Sequence, residues 1–188
     1  MSEEQRGKSE LEKAVEQGVS GPPEIKKDEK NRFLGEFKER VIRYLTYEQV
    51  VEPGTYSEIL DAINHPQADK LIIDREVNDE RARDYIDLAL KNGLEFKRID
   101  SPNFKGDVGL VVVSGEAVKT DKIQVMDRRE KLKKQGISDK IIKNVGSKLC
   151  DQCWSELKEK APEELRNYKK MNIFDKIAGV KCVCRGDD

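Results

Sequence analysis

The stretch "VGLVVVSG" at 108–115 decides the fold. Side chains of a strand alternate between its two faces, so Val111 and Val113 share one side while Leu110 and Val112 share the other. Both sets are apolar. Such a strand belongs inside a sheet that is covered on both faces.

The sequence upstream supplies partners and cover. "LEFKRID" (94–100) and "ADKLIID" (68–74) read as further strands. Between them, "NDERARDYIDLALKNG" predicts a helix over 79–92, with Asn78 or Asp79 as cap and Gly93 as stop. "YSEILDAI" predicts another over 57–64. In "KDEKNRFLGEFKERVIRYLT" (27–46), Phe33, Leu34, Phe37, Val41, Ile42 and Leu45 recur at three- and four-residue intervals. That spacing predicts a long helix over 29–45, laid across the sheet with Phe37 and Val41 at its centre. Gly35 within it suggests close packing against another backbone. "DKIQV" (121–125) is the candidate for a fourth, edge strand. The expected class is α/β: an α+β sandwich with a mixed four-stranded sheet packed by helices. Residues 1–25 form an N-terminal arm with a short helix from Ser9 to Gly18, 26–125 the sandwich, and 126–188 an extension.

The extension differs in character. From 126 to 149 there are eight Lys or Arg against three Asp or Glu; from 150 to 188 the counts are equal and apolar residues are sparse. A segment this poor in core groups struggles to fold unaided. All four cysteines lie there, as "LCDQCW" (149–154) and "KCVC" (181–184), with 28 residues between the pairs. C-x-x-C and C-x-C bring thiolates together on one ion, and zinc takes four in a closed tetrahedron. Cys150, Cys153, Cys182 and Cys184 are therefore the candidate ligands of a structural Zn2+. Two other readings stay open: a thiol redox switch, and four incidental buried thiols.

Arg128, Arg129, Lys131, Lys133 and Lys134 form a basic run. Such runs are commonly the wet face of a helix, but beside a zinc module they are a candidate nucleic-acid footprint. Trp154 and Tyr168 are the aromatics nearby, and both suit a core better than base stacking. His65, in "NHPQ", is the only histidine and reads as a loop residue. The "SPNFKGDVG" connection (101–109) is a place for a small ligand, and an enzyme or small-molecule sensor using that loop is the competing reading. No phosphate-binding glycine loop or catalytic order is visible.

Over the 188 residues, 36 Lys or Arg balance 37 Asp or Glu, a net charge of −1, so no global field favours nucleic acid or anionic lipid. No apolar run approaches the roughly 20 residues of a membrane span, and "MSEEQRGKSELEK" has no apolar leader stretch. A cytoplasmic protein is expected, with a protein or structured RNA rather than a membrane as partner. In that compartment paired thiols are metal ligands or redox groups more often than disulfides.

The run "EQGVSGPPEIKKDEKNRFLGEFKERVIRYLTYEQV" resembles the start of the YueI-like family of uncharacterised proteins from low-GC Gram-positive bacteria. The likeness extends through "ADKLIID" and "GLVVVSGEAV", covering roughly 9–125, and the cysteine-bearing extension lies outside it. The resemblance implies a sandwich akin to the kink-turn-binding ribosomal proteins. Their RNA-clamping helix opens with Gly, then Asn-Glu, then Lys a turn later. Gly54 and Glu58 match that pattern, whereas Ser57 and Asp61 depart from it. A carboxylate at Asp61 repels phosphate.

Overall fold

This computed structural model describes residues 27–100 and 106–185. The expected arm at 1–25 and residues 101–105 of the expected ligand loop lie outside the described residues.

Four strands form the sheet: β1 (Val41–Thr46), β2 (Ala68–Asp74), β3 (Glu95–Ile99) and β4 (Val108–Ser114), in the order β1-β4-β2-β3. β4 runs antiparallel to both neighbours, and β2 and β3 are parallel, so the sheet is mixed. β4 is buried along its whole length, as its double-faced apolarity requires.

The long helix expected over 29–45 is absent. A short helix α1 (Lys27–Arg32) ends where Leu34 (φ 52°) and Gly35 (φ 88°) both turn left-handed, and Gly35 N–H donates back to the Lys30 carbonyl. Gly35 ends the helix instead of packing it against another backbone; a Cβ there would meet nothing within 4 Å. The chain then enters the sheet as β1. Its pairing with β4 shifts between Val41 and Arg43, a β-bulge. A bulge breaks strict alternation. Ile42 and Leu45 thus face one side of the sheet, Val41 and Tyr44 the other. The three-residue spacing that mimics a helix is the bulge written in sequence. Meanwhile 121–125 contributes only an isolated bridge, Gln124 to Tyr44. The fourth strand comes from a different segment than expected.

One face of the sheet carries Leu110, Val112, Leu71 and Ile73. It is covered by α2 (Tyr47–Val51), α3 (Ser57–Ile63) and α4 (Asp79–Lys91), whose Val50, Ile59, Ala82 and Tyr85, with Tyr56 at the N-cap of α3, complete the main core. The α4 cap is Asn78, which accepts from Arg81 N–H at 2.9 Å. The other face, with Val111 and Val113, has thinner cover: Phe33 and Leu34 after α1, and Ile123.

A third apolar cluster belongs to the extension. It joins Leu132 of α5 (Arg128–Lys134), Ile141 and Ile142 of α6 (Asp139–Ile142), Leu149, Leu157 of α7 (Asp151–Lys160), Tyr168, Met171, Cys153 and Cys182. A two-stranded parallel pair, β5 (Lys148–Leu149) and β6 (Lys169–Lys170), brings the first cysteine pair beside the returning chain. A last short helix, α8 (Ile173–Ile177), then leads into the second pair. No helix among the described residues is long and apolar enough to cross a membrane.

Candidate metal centre

Cys150 follows β5 directly and is the N-cap residue of α7, with extended backbone (φ −67°, ψ 169°). Cys153 stands one turn in, so the two sulfurs face the same way, toward the positive end of the helix dipole. The chain returns through α8, and Cys182 and Cys184 close over them. All four Sγ atoms lie within 4.8 Å of one another. Cys150 to Cys184 and Cys153 to Cys182 are each 3.7 Å apart. Four ligands at about 2.3 Å from a central zinc stand about 3.8 Å from one another, so these spacings are those of a tetrahedral edge. They are far longer than a disulfide bond of about 2.05 Å, and all four thiols are free.

The site is graded in exposure: Cys153 and Cys182 buried, Cys150 intermediate, Cys184 exposed. The Cys150 backbone N–H donates to Cys182 Sγ at 3.2 Å, the kind of contact that stabilises a thiolate. Burial pushes the Cys150 thiol up, but the Cys153 backbone N–H and the neighbouring thiols outweigh it and bring it down to about 7. Burial, then hydrogen bonding among the thiols, pushes Cys153 well up, and Cys184 is raised mainly by burial. Four thiolates this close need a cation between them.

The basic run is divided by the fold. Arg128 and Lys131 turn inward, which removes them from the expected nucleic-acid footprint. Arg128 has 2% side-chain exposure; its guanidinium stacks 4.3 Å from the Tyr56 ring, donates to the Pro53 carbonyl and faces the Glu164 carboxylate at 3.5 Å. Lys131 bridges Glu58 at 2.8 Å and Glu163 at 3.0 Å. Arg129, Lys133 and Lys134 are exposed, Lys134 reaching Glu130 at 2.7 Å. Sequence reasoning could not separate the two sets, because the carboxylates that hold Arg128 and Lys131 come from distant segments.

These contacts dock the extension onto the start of α3. Asn167 Nδ2 donates to the Thr55 carbonyl, and its Oδ1 accepts from Thr55 N–H, both at 2.9 Å. Gly54 (φ 79°) lies beneath; a Cβ there would stand 2.7 Å from Asn167 Oδ1. Gly54 and Glu58, which match the RNA-clamp pattern of the family resemblance, are engaged by the extension, Gly54 beneath Asn167 and Glu58 by Lys131. Burial, first, raises the Tyr56 and Tyr85 hydroxyls far above their ordinary value, and Tyr85 OH accepts from Tyr56 N–H at 3.3 Å. His65 sits in an exposed turn, accepting from Gln67 N–H.

The family whose model matches residues 8–124 is described as "Protein of unknown function (DUF1694)". The chain belongs to the DUF1694 family. Within it, the chain is 32% identical over 113 residues to the uncharacterized protein YueI of Bacillus subtilis (strain 168), spanning 60% of this chain and 86% of that one. The crystal structure of the Bacillus subtilis YueI protein superposes with a TM-score of 0.53 at 30% identity, covering 63% of this chain and 92% of that chain. The DUF1694 match ends at 124, before the first cysteine.

Proposed function

We propose that the protein is a cytosolic, non-catalytic binding module in two parts. The sandwich occupies 26–125, and the extension, 126–188, is secured by a structural Zn2+ on Cys150, Cys153, Cys182 and Cys184. The observation that carries this reading is the four-sulfur cluster at tetrahedral spacing. An all-thiolate tetrahedral set suits zinc, whose structural sites are closed and four-coordinate. The extension's apolar cluster is smaller than the main core, and metal binding adds folding free energy to it. The partner is a protein or a structured RNA, met in part by the exposed Arg129, Lys133 and Lys134.

Protein purified under reducing conditions should carry about one zinc per chain by elemental analysis. Cys150→Ser should lower that content and open the extension to protease while the sandwich resists. A native, metal-free protein with a folded extension would overturn the proposal. A second reading, a thiol switch, is favoured by the lowered Cys150 and the exposed Cys184. Native protein isolated with Cys150–Cys184 and Cys153–Cys182 disulfides, its extension still folded, would establish that reading instead.

A further inference from the structure

We infer that the tip of the extension formed by Ile173, Phe174 and Ile177 is a docking surface for an anionic lipid bilayer. The three side chains are 72%, 79% and 78% exposed. Single exposed apolar residues are ordinary, but contiguous ones are not. Among the described residues, four of the eight large apolar side chains left exposed fall between 173 and 180, Val180 being the fourth. The ridge is also held rigidly. Asn172 and Asp175 cap α8 reciprocally, and Asp175 is tied to Lys148 beside the cysteine site.

The occupant follows from shape and charge. Side chains this exposed line no groove; they project, and they require a partner that closes around them. Between 169 and 185 the chain carries Lys169, Lys170, Lys176, Lys181 and Arg185 against a single acid, Asp175, which is committed to Lys148. Asp151 reaches Lys170 and Lys176, leaving Lys169, Lys181 and Arg185 to set the rim (Asp187 and Asp188 lie outside the described residues). A filled thiolate site, at net −2, would offset part of that surplus, and Lys176 and Lys181, next in sequence to Ile177 and Val180, are the cations nearest the ridge along the chain. Apolar groups projecting from a cationic rim match a bilayer: the ridge enters the acyl boundary while lysine stems lie along it and their ammonium groups meet headgroup phosphates. A second copy of the chain would bring like charges together. Nucleic acid would leave two isoleucines with nothing to stack on. The near-zero net charge of the whole chain conceals this local asymmetry.

The test is co-sedimentation of the full chain, purified under reducing conditions, with vesicles of phosphatidylcholine alone or mixed with phosphatidylglycerol. Binding is expected to the mixed vesicles only and to weaken with added salt. Phe174→Ser with Ile177→Ser should cut it at least about tenfold, as should Lys169→Glu, Lys181→Glu and Arg185→Glu together. Both variants should keep the zinc content and Trp154 emission of the parent. Failure to bind mixed vesicles, unchanged binding by either variant, or salt-independent binding would overturn the inference. So would a dimer in light scattering that Phe174→Ser dissociates, which would name a second copy as the occupant.

Discussion

Arg128 Nε and Glu164 Oε2 stand 3.5 Å apart with both side chains 98% hidden from solvent, where the extension meets the sandwich. Neither charge is left to the other alone. Arg128 lies on Tyr56 and donates to Pro53, while Asn167 donates to Glu164 at 2.7 Å. Removing one member of a buried pair strands the other in low dielectric, at about 3–5 kcal/mol. Glu164→Ala should therefore destabilise the extension by about that much, more than the loss of the exposed Lys134–Glu130 pair, worth roughly 0.3–0.5 kcal/mol. Trp154, the single tryptophan, packs at the edge of the extension's cluster and reports its unfolding. The double variant Arg128→Met, Glu164→Leu should recover much of the loss. Denaturant titration followed by Trp154 emission gives these numbers, and a double variant that costs as much as Arg128→Met and Glu164→Leu added together would show that the pair is not coupled.

Phe33 and Phe37 distinguish the observed β1 from a long helix. Phe33 is buried at 3% exposure and packs edge-on to Tyr44, centroids 5.6 Å apart. Phe37 is half-buried outside every apolar cluster, with Lys30 Nζ 4.7 Å above its ring. Phe33→Ala should cost about 3–5 kcal/mol. Phe37→Ala should cost no more than about 1 kcal/mol, the scale of an exposed cation–π contact. Thermal melts of the two variants decide it; a reversed order would restore a helix with Phe37 at its centre.

The parts of the fold legible in sequence are those whose periodicity is unbroken. α3, α4, β2, β3 and β4 lie where alternation, helical spacing or the Asn78 cap put them. β1 was not legible because its bulge gives strand residues a three-residue spacing, and because nothing local announces that Leu34 will turn left-handed. The cysteines were legible because C-x-x-C at a helix start fixes two sulfurs by local geometry alone, needing only one chain return for the other pair. Arg128 was not, since a cation reads the same in water and in a buried pair until Glu164 is placed beside it. The exposed ridge at 173–177 was hidden for the converse reason: isoleucine and phenylalanine in a thin-cored segment look like core.

Acid should loosen the tip of the extension by a step of its own. The Lys148 hydrogen bond first, then the Asn172 backbone N–H, hold the Asp175 carboxyl below its ordinary value of 3.8. A carboxylate lowered in the folded state contributes stability that is present above the unfolded value and lost as pH falls through the folded one. The capping of α8 should thus persist down to about pH 4 and fail below it. On the proposed zinc site, the metal would leave earlier, because protons compete for thiolates at higher pH. Hydrogen exchange at 172–178, followed from neutral pH to pH 3, should show two phases in the parent. In Asp175→Asn the lower phase should vanish, since an amide can still cap the helix but does not titrate, while the upper, zinc-linked phase stays where it was. If the lower phase persists in that variant, Asp175 is not the group that acid releases, and its pairing with Lys148 contributes nothing to holding α8 in place.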